Sequence, residues 1–159
     1  LSSPALDQFF IIATNFGGVI GIVAISLVAI TVLLKLKRYR DALFLVLGVY
    51  GAGAINTILK LVFERTRPDL WERLVVETSY SFPSGHALAS CALALVIIII
   101  CYKTRWFVPA LIIGIAYGLI IGFSRLYLGV HYPSDIIGGW LISSLWVIAV
   151  YWMVKRVKH

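Results

Sequence analysis

The sequence predicts an all-α protein, a polytopic transmembrane helical bundle, from its composition, its long uncharged stretches and the uneven placement of its basic residues. Of 159 residues, 61% are hydrophobic and 13% are charged, and the mean hydropathy is +0.97. Soluble domains are about half apolar and about a quarter charged. The chain therefore has too few polar side chains to cover a water-soluble core, which excludes a soluble globular domain and a disordered chain.

The uncharged stretches locate the predicted membrane spans. There are five of them, at residues 8–34, 42–59, 87–102, 106–124 and 136–154. A helix needs about 20 apolar residues to cross the ~30 Å hydrocarbon core of a bilayer, and four stretches are close to or above that length. The shortest, 87–102, becomes long enough when His86 and Lys103 lie in the two interfaces. No stretch alternates polar and apolar residues over a strand length, so a membrane barrel is not expected.

The basic residues are unequally divided between the two ends of these spans. Nine of the fourteen fall on one side, in clusters at 35–40, 103–105 and 155–158, together with a single acidic residue. The other side has five basic and six acidic residues. Because cytoplasmic loops carry an excess of Lys and Arg, we expect the nine-base side to be cytoplasmic. Arg73 and His131 then lie outside, and the net charge of +7 reflects topology and not nucleic-acid binding.

We expect residues 1–159 to form a single domain, because no repeat, low-complexity segment or linker divides the chain. The chain begins at Leu1 and not at a methionine, and its N-terminus is assigned to the outside. We therefore also expect a preceding segment, either a further helix or a cleaved signal. Residues 1–18 are interpreted as an external leader that enters the first span. Cys91 and Cys101 are predicted to be thiols because they lie in or at the end of an apolar run.

Small and polar residues inside the spans are interpreted as packing contacts. Gly114, Gly118 and Gly122 recur every fourth residue in the fourth span, and small residues on one face let helices approach closely in lipid. Asn56, one helical turn before Lys60, is interpreted as a contact between helices and is not assigned to a functional site.

Polar residues cluster at the predicted outer ends of the spans, and the first cluster follows the second span. Lys60 and Arg67 are seven residues apart, about two helical turns, so they share one face if the helix continues. Pro68 is expected to end that helix. By itself the pair is equally typical of two basic side chains that reach from an apolar stretch to the interface.

The second cluster, Pro83-Ser84-Gly85-His86, comes directly before the third span. A Ser-Gly pair that opens a helix offers a hydroxyl, free backbone N–H groups and the positive end of the helix dipole, which together bind anions. Gly85 also lets a ligand approach the backbone closely. Alone, the cluster is more typical of an ordinary helix cap beside an interfacial histidine.

The third cluster joins the fourth and fifth spans. Arg125 ends the fourth span, and His131 precedes Asp135 by four residues at the start of the fifth. The carboxylate can therefore reach one imidazole nitrogen, which would fix the tautomer and leave the other nitrogen nucleophilic or basic. The alternative is a surface histidine followed by an aspartate that is favourable at a helix N-terminus.

Considered together, the three clusters predict a site for phosphoryl transfer. They deliver three cations (Lys60, Arg67 and Arg125), one helix N-terminus and two histidines to one side of the membrane. Such a set suits a dianionic phosphate, whose transfer is catalysed mainly by positioning and charge stabilisation. The histidines can supply a nucleophile and a general acid. No grouping resembles a metal cage, so we predict a metal-independent reaction through a phosphohistidine, without a cofactor.

The same motifs carry a family resemblance. Lys-x6-Arg-Pro, Pro-Ser-Gly-His and Ser-Arg-x5-His-x3-Asp resemble, in this order, the three-part signature of the type 2 phosphatidic acid phosphatase superfamily. That family includes phosphatidylglycerophosphate, undecaprenyl-diphosphate and lipid A phosphatases, with vanadium haloperoxidases as soluble relatives. Its members usually have six spans, which implies that the sixth precedes Leu1.

The resemblance also implies roles for individual residues. His131 would be the nucleophile, Asp135 its orienting partner, and His86 the acid that protonates the leaving oxygen. The implied phosphate-binding residues are Lys60, Arg67, Ser84, Gly85 and Arg125.

The expected protein is a bacterial inner-membrane lipid phosphatase with its active site facing the periplasm. Its expected partners are membrane lipids and a lipid phosphate substrate, with no nucleic acid and no obligate protein partner. A phosphotransferase with the same site, a vanadate-dependent haloperoxidase-like enzyme and a transporter remain as alternatives. A transporter would spread its charges through the depth of the bilayer, whereas these charges gather at one interface. Residues 69–82 are expected to cover the entrance and to influence headgroup choice, which is left open.

Overall fold

Six α-helices and no strands form the part of the chain, residues 3–69 and 74–156, that the computed structural model describes. In chain order they are α1 (Pro4–Asn15), α2 (Val19–Lys35), α3 (Tyr39–Phe63), α4 (Gly85–Cys101), α5 (Phe107–Tyr127) and α6 (Pro133–Arg156). The all-helical prediction is confirmed for these residues. Arg73, together with Trp71 and Glu72 of the predicted entrance cover, lies outside them.

The lengths and surfaces of the helices are those of a multi-pass membrane protein. Three of them, α3, α5 and α6, are long and apolar enough to cross a bilayer. The pair α1 and α2, bent by 51° at its break, makes a fourth candidate span, and α4 is a shorter apolar helix of 17 residues. Large apolar side chains such as Ile20, Ile113 and Leu145 face outward, as expected of helices surrounded by lipid. The count of five spans stays a prediction.

The first uncharged stretch contains two helices in place of one. The predicted leader is helical from Pro4 to Asn15, and the chain turns through Phe16, Gly17 and Gly18 before α2 begins. A Cβ atom at Gly21 would overlap the carbonyl oxygen of Asn15, so the bend depends on a small residue there. This turn brings Thr14, near the end of α1, into contact with Arg125 of α5.

Helix α4 lies at the centre of the bundle, packed against α2, α3, α5 and α6. Its side chains Leu88, Leu93 and Val96 are buried in one apolar core with residues of α3 and α6. The glycine seam predicted on α5 is confirmed at two of its three positions, since Gly114 faces Ile98 and Gly122 faces Trp140. At Gly118 a Cβ atom would meet open space, so that position is not a packing contact.

Charged residues separate to the two ends of the bundle. Arg38, between α2 and α3, donates to the carbonyl of Ile100 near the end of α4 at 3.2 Å and pairs with Asp41 at 2.6 Å. The basic clusters around 35–40 and 103–105 therefore share one end. The three polar clusters that predict the site lie at the opposite end, where α3 and α5 finish and α4 and α6 begin.

Candidate active site

Five of the predicted site residues line one cavity of about 330 Å³ at the end of the bundle where α4 begins. These are Lys60, Arg67, Gly85, His86 and His131. Ser84, Arg125 and Asp135 are buried directly behind its wall. Segments that are far apart in the sequence thus meet at one place, as the three motifs predict.

The first motif reaches the cavity by a different route from the predicted one. Helix α3 ends at Phe63, with Glu64 in the left-handed conformation at φ 44°, so the prediction that it continues to Pro68 is wrong. Lys60 and Arg67 therefore do not share a helical face. They meet through the loop, because Lys60 Nζ and Arg67 Nη2 both donate to the Ser79 hydroxyl, at 3.3 and 3.2 Å.

The predicted pair of the third motif forms. His131 Nδ1 lies 3.3 Å from Asp135 Oδ2, and Pro133 opens α6 between them. The same carboxylate oxygen accepts the Tyr132 backbone N–H at 2.9 Å and the Ser81 hydroxyl. The other oxygen, Oδ1, pairs with Arg65 at 2.7 Å. A carboxylate held by four groups is fixed in position and ionised, so it can orient the imidazole.

The contacts of His131 assign its tautomer. Arg67 Nη1 lies 3.2 Å from Nε2, and a guanidinium can only donate, so Nε2 carries the lone pair and Nδ1 carries the proton toward Asp135. Burial lowers the pKa of His131 to about 4; the hydrogen bond to Asp135 opposes this, and the nearby Arg67 and Arg125 add to it. At neutral pH the imidazole is therefore uncharged, and the lone pair of Nε2 is directed toward Arg67 in the cavity.

The second motif begins α4 as predicted. Ser84 is the N-cap residue, and its hydroxyl accepts the Ala87 N–H at 3.5 Å. Its backbone N–H donates to the carbonyl of Asp135 at 3.1 Å, which ties the start of α4 to the start of α6. Because the Ser84 side chain is completely buried, the hydroxyl belongs to the helix cap, and Gly85 is the residue that lines the cavity.

Asn56 supports this loop from α3. Its side-chain amide donates to the carbonyl of Pro83 at 3.1 Å, and a Cβ atom at Gly85 would lie 3.1 Å from Asn56 Oδ1. The interpretation of Asn56 as a packing contact is thus confirmed, although Asn56 also lines the cavity. The close approach explains why position 85 carries no side chain.

Arg125 is buried, with 1% of its surface exposed, and is held by two segments that sequence motifs did not connect with it. Nη1 donates to the Thr14 hydroxyl of α1 at 2.9 Å, and Nη2 pairs with Glu77. Nε is buried and has no acceptor among the described residues, so its N–H is unpaired. The turn after α1 also approaches the site, since a Cβ atom at Gly18 would lie 3.3 Å from His86 Nε2.

Glu77 falls in the segment 69–82 that was expected to cover the entrance, but its contacts with the site arginines were not predicted from the sequence. Its carboxylate contacts Arg125 through Oε1 and lies 3.5 Å from Arg67 Nη2 through Oε2. Burial alone would raise the pKa of Glu77, but the two guanidinium groups outweigh burial and hold that pKa below its usual value. Glu77 is therefore a carboxylate at neutral pH, and no helical or motif spacing marks its position in the sequence.

Among the described residues, no group of three His, Cys, Asp or Glu side chains is placed to hold a metal ion. Metal independence and the absence of a cofactor stay predictions, to be tested by chelation.

The all-helical fold and the three assembled motifs define a membrane protein whose candidate site brings two histidines and basic side chains together. The chain belongs to the PAP2 superfamily, whose family model matches residues 41–158. The family resemblance predicted from the motifs is thereby confirmed.

Particular relatives have names that specify lipid phosphates. The chain is 33% identical over 129 residues to phosphatidylglycerophosphatase B of Bacillus subtilis, a match that covers 77% of this chain and 63% of the relative. It is 35% identical over 121 residues to undecaprenyl-diphosphatase of Sulfolobus acidocaldarius, covering 72% and 56%. The matched region is thus about 60% of the length of these two relatives.

Two solved structures have the same fold. The transmembrane PAP2 type phosphatidylglycerolphosphate phosphatase of Bacillus subtilis superposes with a TM-score of 0.89 at 27% identity, over 100% of this chain and 81% of that one. LpxE of Aquifex aeolicus superposes with a TM-score of 0.71 at 23% identity, over 94% and 87%.

Proposed function

We propose that this chain is a membrane lipid phosphatase that hydrolyses a phosphomonoester or diphosphate of a lipid, with residues 1–159 as a single domain. The observation that carries the proposal is one cavity lined by two histidines, two cations and the apolar sides of α2 and α3. The histidines and cations suit a phosphate, and the apolar sides of the two helices suit an alkyl chain. The names of the relatives support the same substrate class.

In the proposed first step, the lone pair of His131 Nε2 bonds to phosphorus as the bond to the lipid oxygen breaks. His86, in its imidazolium form, donates a proton to that oxygen. The products are a phosphohistidine and the lipid alcohol, or the lipid monophosphate when the substrate is a diphosphate. In the second step, neutral His86 takes a proton from water, whose oxygen attacks phosphorus and releases His131. Inorganic phosphate leaves, and both histidines regain their starting protonation states.

The surrounding residues stabilise charge in both steps. Lys60, Arg67 and Arg125 neutralise the phosphate oxygens, and the backbone N–H groups at the start of α4, beginning at Gly85, add donors. Arg67 contacts Nε2, so an incoming phosphate would take over that guanidinium and free the nitrogen to attack. Asp135 keeps the proton on Nδ1 and favours the positive charge that develops on His131.

The apolar part of the cavity is the argument for a lipid and not a small phosphate. From the polar end the cavity continues between α2 and α3, along Val23, Val49 and Gly53. Tyr50 also lines it, and the Tyr50 hydroxyl lies 2.8 Å from the Ser26 hydroxyl, which links the two helices there. A cleft between two helices is open to the bilayer from the side, where a lipid chain can enter without leaving the membrane.

Gly53→Phe tests this placement of the alkyl chain. A Cβ atom at Gly53 has no neighbour within 4 Å, so a phenyl ring there would occupy the cleft between α2 and α3. We expect kcat/KM to fall about 10- to 100-fold more for a long-chain lipid phosphate than for p-nitrophenyl phosphate, since alkyl burial contributes about 0.8 kcal/mol per CH₂. Gly118→Phe is the matched control, because it adds the same ring at another open position, on α5. Equal losses on both substrates would contradict the assignment.

We also propose that the site faces the outside of a bacterial inner membrane, on the basis of the basic clusters at the opposite end. With Cys91 and Cys101 replaced by Ala, a membrane-impermeant maleimide added to intact cells should label Val76→Cys but not Lys37→Cys. Val76 is 93% exposed beside the site, and Lys37 is exposed at the other end. Opening the cells should make both positions reactive. Labelling of position 37 alone in intact cells would reverse the orientation.

The proposed activity itself is tested by a panel of lipid monophosphates and diphosphates assayed in detergent with EDTA. We expect inorganic phosphate to be released at the same rate with EDTA as without it. Loss of activity that added magnesium restores would overturn the metal-independent reaction. Halide oxidation with vanadate, or transfer of phosphate to an added lipid alcohol in place of water, would instead favour one of the two alternative enzymes.

A further inference from the structure

One carboxylate occupies the position between two of the cations assigned to the phosphate. Glu77 Oε1 pairs with Arg125 Nη2, and Oε2 lies 3.5 Å from Arg67 Nη2. Each carboxylate oxygen thus faces one guanidinium, as two oxygens of a bound phosphate would. Glu77 lines the same cavity as His86 and His131.

We propose that Glu77 is a resident anion of this site, which binds the Arg67–Arg125 pair when no substrate is present and leaves the pair as the substrate phosphate enters. This inference rests on the proposed function, since it assigns those two arginines to the substrate phosphate. It makes Glu77 a competitor of the phosphate and a determinant of affinity.

The electrostatics of the site favour such a group. Arg125 and Arg67 have side chains that are 1% and 5% exposed, and Lys60 lies nearby on the same cavity. Buried cations without a counter-ion are strongly destabilising, so a carboxylate between them stabilises the folded chain. A phosphate dianion and a carboxylate repel each other at the same position, so both do not remain on the pair.

Glu77 is freer to move than Arg125. Its side chain is 23% exposed and lies in a non-helical segment between exposed Val76 and Thr78. The segment is attached on either side, by Leu74 N–H to the Leu128 carbonyl at 3.4 Å and by Ser81 N–H to the Arg65 carbonyl at 2.8 Å. Arg125, in contrast, is part of α5 and is anchored by Thr14. A rotation of Glu77 between two fixed points is therefore enough to clear the pair.

The test is binding of orthovanadate, a phosphate mimic, to the detergent-solubilised full chain. Glu77→Gln keeps the shape of the side chain but removes the competing charge. Because a hydrogen bond to a charged group is worth a factor of about 10 to 100 in an equilibrium, we expect Glu77→Gln to bind vanadate about 10- to 100-fold more tightly than the wild type. Glu64→Gln is the matched control, an exposed glutamate at the end of α3, and should bind as the wild type does.

A second measurement separates competition from a purely structural role. Without anion, Glu77→Gln should unfold at a lower temperature than the wild type, and saturating vanadate should remove that difference because it replaces the missing carboxylate. Unchanged or weaker vanadate binding by Glu77→Gln overturns the proposal. The proposal is also overturned if the variant still has a lower Tm than the wild type, or still fails to fold, at saturating vanadate. If the wild type binds no vanadate, the proposed function is overturned as well. If the wild type binds vanadate and only the expected effect of Glu77→Gln is missing, the proposed role of Glu77 fails and the proposed function stands.

Discussion

His131→Ala is expected to abolish turnover of every phosphate substrate, including p-nitrophenyl phosphate. The imidazole supplies the atom that bonds to phosphorus. The Ser81 hydroxyl also contacts Asp135, but Ser81 is buried and does not line the cavity. Loss of a nucleophile costs on the order of 10⁴- to 10⁶-fold in kcat. The measurement is kcat with a lipid monophosphate and with p-nitrophenyl phosphate, since a good leaving group does not compensate for a missing nucleophile.

Two further variants define how that result is interpreted. Asp135→Asn keeps the His131 imidazole but removes its charged partner, so it should lose less activity than His131→Ala on both substrates. His159→Ala changes the one histidine that is not assigned to the site and should retain wild-type kcat. If His131→Ala retained more than a few per cent of wild-type kcat, the nucleophile would have to be another group.

His86→Ala is expected to show a defect whose size depends on the leaving group. A lipid alkoxide leaves poorly and needs a proton from His86, whereas a nitrophenolate leaves well without one. General acid catalysis is worth about 10²- to 10⁴-fold, so kcat on a lipid monophosphate should fall by that factor and kcat on p-nitrophenyl phosphate by far less. The comparison of the two substrates is the measurement. Equal losses on both would remove the general-acid role from His86.

The motifs allowed the site to be predicted because each places its residues at the end of an apolar stretch. A polar residue at such an end is confined to an interface, and a single helical bundle brings the ends on one side together. His131 and Asp135 are four positions apart at a helix start, so their contact follows from local geometry alone. The pairing of Ser84 with the start of α4 is local in the same way.

The parts that could not be predicted depend on contacts between loops. Glu77 reaches Arg125 across 48 residues, and Arg65 reaches Asp135 across 70, and neither has a sequence period or motif to mark it. Thr14 contacts Arg125 only because the chain bends after α1. Composition does not reveal this bend, because residues 8–34 form one continuous uncharged stretch. The end of α3 at Phe63 was also missed, since Pro68 is the stronger helix breaker but the left-handed Glu64 comes first.

Trapping of the covalent intermediate tests the central claim, a phosphohistidine at His131, most directly. The full chain is incubated with a radiolabelled phosphate substrate, quenched by denaturation, and examined for label that acid removes and alkali does not. We expect such label on the wild type in the presence of EDTA and none on His131→Ala, while His86→Ala should still form it from p-nitrophenyl phosphate. Label that persists in His131→Ala and disappears in His86→Ala would contradict this account by reversing the roles of the two histidines.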